Sequence, residues 1–266
     1  MLIMEPKMLC RLKHALLSSN ISLHYQPVYS AAAKKIVGFE ALLRWRDSRF
    51  GRVCPETLIG LAVENGLMST VSLYVIKKAI AEMAPLLSRH DLLLNLNITP
   101  GDLNSVSFKK TLLNELARHQ LNASSIVLEI TEVSCNDTQA LIGNAAQFRQ
   151  HGFHLALDDF GKGCSNHERL LSLSVTDVKI DKSLTQALCV NDVRGVKTRN
   201  MCRALYERPY RLIFEGVECA DQMACITRWF PCARAQGWYF SKALPIESVR
   251  ALLNDVSSNT VIQQRA

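Results

Sequence analysis

Acidic and amide residues close one apolar run after another along this chain. Ile36-Val37-Gly38-Phe39 runs into Glu40, Leu94-Asn95-Leu96 into Asn97, and Ile126-Val127-Leu128 into Glu129. Leu155-Ala156-Leu157 runs into Asp158-Asp159, the stretch from Val175 to Val178 into Lys179 and Asp181, and Leu212-Ile213-Phe214 into Glu215, with Glu218 soon after. A charged group at the edge of an apolar core is costly unless it is paired or holds a metal. One Glu after a strand reads as a helix N-terminal acid or a salt-bridge partner; a succession of them does not reduce to that. Brought together, Glu40, Glu129, Asp158, Asp159 and Glu215 supply carboxylates, Asn97 an amide oxygen and Lys179 an ammonium. Carboxylates crowded into one pocket raise one another's pKa, so something cationic must hold them. The donors are all oxygen, without His or Cys, which selects Mg²⁺ or Mn²⁺ over Zn²⁺. The set accommodates two ions, with Asp158 or Asp159 bridging them. Such a site suits in-line attack of water on a phosphodiester, Lys179 orienting the water or neutralising phosphoryl charge. The same residue types also serve a one-metal enolising barrel, and residue type alone leaves the two open.

Short apolar runs that alternate with longer helix-like stretches must position these groups. The strands expected are Leu23–Tyr29, Ile36–Leu43, Leu92–Ile98, Ile126–Ile130, His154–Asp158, Asp177–Ile180, Leu212–Phe214 and Gly237–Phe240. Between them lie helices at Glu56–Asn65, Ser69–Leu87, Phe108–His119, Thr138–His151, Val193–Glu207, Ala220–Trp229 and Ile246–Asn254. Val71, Val75, Ile76, Ala79, Ile80 and Met83 follow the 3.6-residue period in the second helix. Ser30–Lys35 leaves no room for a helix, so the first two strands form an antiparallel hairpin. Strand and helix then alternate, as in a mostly parallel sheet. The pattern predicts an α/β fold, a barrel of about eight strands with helices outside; an open doubly wound sheet is the alternative. There is no dinucleotide fingerprint and no P-loop. In a parallel barrel the strand ends named above share one mouth, the face that carries active sites.

Composition agrees with a globular protein: 266 residues, 48% hydrophobic and 21% charged. This excludes a disordered, collagen-like or disulfide-stapled chain. The net charge of +7 suits an anionic ligand or an acidic partner. Basic residues are spread without a dense run, and the aromatics form no interleaved platform, so nucleic-acid binding is not expected. The nine cysteines include no CxxC pair and read as reduced thiols. Neither a signal-peptide core nor an apolar run near membrane length is present, so a cytoplasmic protein with no membrane partner is expected. A single domain is expected, with a core of about residues 5–255 between a short N-terminal helix and a flexible tail.

The residues resemble a known family. Glu40-Ala41-Leu42-Leu43-Arg44-Trp45 is similar to the motif that names EAL domains, bacterial phosphodiesterases that open cyclic di-GMP to linear pGpG. Tyr25-Gln26-Pro27, Asn97-Ile98-Thr99-Pro100, Glu129-Ile130-Thr131-Glu132, Asp158-Asp159-Phe160-Gly161, Lys179-Ile180-Asp181, Glu215-Gly216-Val217-Glu218 and Gln236-Gly237 follow in the family's order. The resemblance implies a modified TIM-like (β/α)8 barrel with one antiparallel strand. It implies Glu40, Asn97, Glu129, Asp158, Asp159 and Glu215 as ligands of two Mg²⁺ or Mn²⁺ ions. Lys179 is then the contact of the attacking water and Glu215 the candidate base, with Glu40 in the catalytic set. Gln26, Arg44, Asp159, Glu218 and Gln236 are implied in substrate binding, and Glu132 in bracing the loop after Asp159. Gly216 and Gly237 read equally as close-turn glycines. A homodimer and a role in biofilm or motility control are also implied.

One stretch departs from the family. After Gly161 the family usually runs Thr-Gly-Tyr-Ser-Ser-Leu, whereas this chain has Lys162-Gly163-Cys164-Ser165-Asn166-His167. Lys162 either competes with metal at the aspartates or points to solvent, and the second is expected of a long, snorkelling lysine. His167 reads as a loop residue. The altered loop also keeps open a weak or inactive module that binds cyclic di-GMP or a protein partner.

Overall fold

The computed structural model describes residues 6–18, 20–130, 138–162 and 170–256. Eight strands close on themselves: β1 (Ile21–Ser30), β2 (Lys35–Asp47), β4 (Leu93–Ile98), β5 (Ile126–Ile130), β6 (His154–Phe160), β7 (Asp177–Ile180), β8 (Arg211–Phe214) and β9 (Arg234–Ala235). From β2 through β9 each neighbour is parallel, while β1 runs antiparallel to both β2 and β9 and closes the ring. The expected barrel with one antiparallel strand is therefore the fold, and an open sheet is not. Two short strands extend it, β3 (Gly51–Val53) on β2 and β10 (Leu244–Pro245) on β1.

Helices cover the outside: α1 (Pro6–Leu17), α2 (Pro55–Glu64), α3 (Met68–Leu87), α4 (Pro100–Leu103), α5 (Val106–Arg118), α6 (Thr138–Gln150), α7 (Lys182–Leu188), α8 (Val193–Tyr206), α9 (Ala220–Trp229) and α10 (Ile246–Val256). The α3 stripe read from the sequence is buried throughout. Burying each such side chain contributes about 1.5–3 kcal/mol against leaving it in water. Among the described residues, no helix is long and apolar enough to cross a membrane.

Two expectations need correction. Gly237–Phe240 is not a strand; β9 lies earlier, at Arg234–Ala235. After it the chain turns, and Gly237 lets the backbone of residue 217 pass where a Cβ would stand 2.0 Å from the Val217 carbonyl. The short helix α7, which the sequence reading did not identify, is started by Asp181, whose side chain accepts from the Ser183 N–H.

Candidate active site

Register decides which side chains share the barrel interior. Gln26 lies opposite Glu40, Glu40 opposite Asn95, and Asn97 opposite Glu129. Strand alternation then places Gln26, Glu40, Asn97, Glu129, Asp158 and Lys179 on one face. Glu215 and Gln236 directly follow β8 and β9. Asn97, Glu129, Asp158, Lys179, Glu215 and Gln236 sit at the C-terminal ends of parallel strands, and the register brings Glu40 and Gln26 level with them.

Lys179 is the centre of this mouth. Its Nζ lies 2.9 Å from Glu129, 3.0 Å from Asp158, 2.9 Å from Glu215 and 3.6 Å from Glu40. Lys179 is 1% exposed and Glu129 fully buried. Polar neighbours fix the carboxylates further. Asn97 donates to Glu40 Oε1 and Gln236 to Glu40 Oε2, both at 2.7 Å. Asn95, which the sequence reading passed over, donates to Glu129 Oε1 at 2.7 Å. Its signal was available: it precedes Asn97 by one pleat period on the same face.

Electrostatics follow from four carboxylates around one ammonium. Burial alone would lower the Lys179 pKa, but Asp158, Glu129, Glu215 and Glu40 hold it well above the ordinary lysine value. Burial, then the charge of Glu40, raises Glu129 well above the carboxylate range. Glu40 is also pushed up by burial, yet the attraction of Lys179 and the bonds from Asn97 and Gln236 outweigh this and hold it low. Burial raises Glu215 to about 7, against the pull of Lys179. The mouth thus carries more negative charge than its own cation cancels.

A cleft of about 250 Å³ opens beside it, lined by Gln26, Glu40, Glu215, Glu218, Gln236 and Trp238 among others. Lys182 also lines this cleft and pairs with Glu218 at 2.6 Å. Trp238, 66% exposed, offers an aromatic face at the rim; neither it nor Lys182 was among the residues expected. Gly216 sits here at φ +64°, a conformation that favours glycine.

Not every expected residue joins the mouth. Arg44 is outside the cleft lining, and its Nη1 donates to the Leu43 carbonyl at 2.7 Å. Asp159 sits where the β6–β7 register shifts, with φ +53°. Such an irregularity re-aims the side chain, and Asp159 meets Lys162 rather than Lys179. Lys162 Nζ lies 3.1 Å from Asp159 Oδ1 and 4.0 Å from Asp181. The Lys162 side chain is 60% exposed, as expected of a lysine that points to solvent, and its head pairs there with the adjacent carboxylate. Glu132, Cys164, Ser165, Asn166 and His167 lie outside the described residues.

The donors fit a hard divalent cation in kind, being carboxylate and amide oxygens with a surplus of negative charge. Among the described residues, no three Asp, Glu, His or Cys side chains stand grouped to hold a metal ion. The carboxylates close on Lys179 instead.

Residues 9–243 match the model of the EAL domain family. The chain belongs to the EAL domain family. This EAL domain is 32% identical over 238 residues to the probable cyclic di-GMP phosphodiesterase PdeB of Escherichia coli, covering 89% of the chain and 45% of PdeB. It is 30% identical over 222 residues to a cyclic di-GMP phosphodiesterase of Pseudomonas aeruginosa, covering 83% of the chain and 38% of that protein. The domain thus spans less than half the length of these curated relatives. Its fold superposes on the PaMucR phosphodiesterase in complex with c-di-GMP with a TM-score of 0.80 and 28% identity, covering 91% of this chain and 99% of that one.

Proposed function

We propose that this EAL domain hydrolyses cyclic di-GMP to linear pGpG, using Mg²⁺ or Mn²⁺. The observation that carries the reading is the Lys179-centred carboxylate mouth opening on a cleft lined by Gln26, Glu218, Gln236 and Trp238. Glu40, Asn97, Glu129 and Asp158 would hold the cations, with Asp159 and Glu215 completing the set. Bound there, divalent ions would activate water and steady charge on the phosphodiester. The chain's own groups do the rest. Lys179 orients the attacking water and offsets charge on the phosphoryl oxygens. Glu215, whose carboxyl titrates near neutrality, accepts the water's proton. Asn97 and Gln236 keep Glu40 fixed and ionised. Gln26, Gln236 and Glu218 contact the dinucleotide along the cleft, and Arg44 approaches a phosphate. The homodimer that the resemblance implies goes with this reading, and it suits the exposed Val193 and Val196 on α8.

One observation favours a second reading, a module that binds cyclic di-GMP or a protein partner without turning the dinucleotide over. The Lys162 ammonium occupies the Asp159 carboxylate that a metal would use. Chromatography of cyclic di-GMP incubated with Mg²⁺, with Mn²⁺ and with chelator separates the two. Metal-dependent pGpG that disappears in Glu40→Ala supports the enzyme. Tight binding with no product in any condition supports the binding module and contradicts hydrolysis.

A further inference from the structure

Strand β2 does not stop at the rim of the barrel. Glu40 and Ala41 lie beside Asn95 and Leu96 of β4, so the next step brings Leu42 level with Asn97 at the mouth. Residues 43–47 run on past it and Trp45, Arg46 and Asp47 pair with β3, so a two-stranded hairpin stands above the cleft. Side chains alternate along a strand. Glu40 and Leu42 line the cleft, and the same face of β2 continues through Arg44 and Arg46. Arg52 lies directly opposite Arg46 on β3, and residues directly opposite across an antiparallel pair share a face. Three guanidinium groups therefore continue the cleft-facing row. At about 3.3 Å per residue, Arg44 and Arg46 stand roughly 7 and 13 Å beyond Leu42. Nothing on the hairpin cancels these charges. The one acid between residues 43 and 53, Asp47, falls on the opposite face. Arg11 takes it there, with Nε at 2.6 Å, as do the N–H groups of Arg49 and Phe50. Arg46 and Arg52 are exposed, and among the described residues neither forms an ion pair. Like charges directly opposite each other are destabilising, so stability does not account for this pair.

We propose that Arg46 and Arg52 form an outer landing site for the phosphates of a dianionic nucleotide, drawing it to the hairpin ahead of the mouth. This landing site rests on the ligand proposed above and adds the route by which that ligand arrives. The mouth itself makes such a route necessary. Four carboxylates face one ammonium there, and a surplus of that sign repels a dianion as it approaches. Guanidinium groups along one wall reverse the field on that side and raise the local concentration of an anion. Arg44, nearest the rim, carries the row down to the cleft. Attraction between exposed charges reaches about 10 Å at 0.1 M salt and about 3 Å at 1 M. The row therefore acts on an incoming ligand in dilute salt and is silenced in concentrated salt.

The test follows a fluorescently labelled cyclic di-GMP onto the full chain by stopped-flow, with Mg²⁺ present, at salt concentrations from low to about 1 M. The double variant Arg46→Gln with Arg52→Gln should associate about tenfold more slowly at low salt. Its dissociation rate should be unchanged, and its association should match the unsubstituted protein near the high-salt end. Its melting temperature should not fall, because the two substitutions relieve a like-charge pair. Arg46→Lys with Arg52→Lys should keep the fast association, since charge rather than bond geometry acts at that range. Unchanged association at low salt, a loss carried by dissociation alone, or a loss that persists at high salt would each overturn the inference. No binding by the unsubstituted protein would remove cyclic di-GMP as the ligand, and the landing site with it.

Discussion

Strand β7 carries two buried charges, Asp177 at the floor of the barrel and Lys179 at its mouth, on the same inward face. At the floor one carboxylate meets two guanidinium groups: Arg211 bonds it through both arms at 2.8 and 2.5 Å, and Arg234 approaches to 3.7 Å. The Thr176 hydroxyl adds a bond at 2.7 Å. At the mouth the proportion is reversed and unequal, with four carboxylates to one ammonium. Both clusters are paired and buried, so burial alone does not separate a structural network from a site. Charge balance does. The floor satisfies its one acid with cations of its own, while the mouth gathers more carboxylates than its one ammonium can match.

Substitutions sharpen this contrast, beginning with the largest effect. Lys179→Met leaves buried carboxylates without their cation. It should cost about 3–5 kcal/mol of stability in chelator, read by denaturant unfolding, and should abolish hydrolysis. Asp177→Asn unpairs the floor. A loss of up to about 3–5 kcal/mol is expected, with kcat and KM unchanged well below the melting temperature; a collapse of kcat would show that the floor belongs to the site. Asp158→Asn should cost less in chelator than Lys179→Met, because Glu129, Glu215 and Glu40 still surround the ammonium. A loss as large as that of Lys179→Met would mean that the mouth carries no surplus. Lys162→Thr is the smallest change, since an exposed ion pair contributes below about 1 kcal/mol. It should lower by a few-fold the Mg²⁺ concentration needed for half-maximal hydrolysis, and an unchanged requirement would make the Lys162–Asp159 pair neutral.

How much of this the sequence disclosed depended on how local each feature is. Polar residues closing apolar runs identified Glu40, Asn97, Glu129, Asp158, Lys179 and Glu215, because parallel strands bring their C-terminal ends to one rim. The tight Ser30–Lys35 link likewise revealed the antiparallel strand. The floor was not legible: Arg211 and Arg234 precede and interrupt apolar runs in an ordinary way, and only ring closure delivers them to Asp177. The local placement of Asp159 was not legible for a related reason. Sequence adjacency placed it with Asp158, but its positive φ and the register shift send the two side chains to different partners. The misplaced last strand came from reading Trp238-Tyr239-Phe240 as a β run, when Gly237 and the 217 segment fold that stretch into a turn.

The proposed hydrolysis requires that the mouth, unlike the floor, be completed by a divalent cation. The most direct test is the melting temperature of the protein titrated with Mg²⁺ or Mn²⁺ from a chelated start. A saturable rise is expected, equivalent to about 2.7 kcal/mol at a hundredfold excess over the dissociation constant. It should persist in Asp177→Asn and shrink or vanish in Asp158→Asn. A melting temperature indifferent to either ion, or a rise equally large in Asp158→Asn, would contradict the claim.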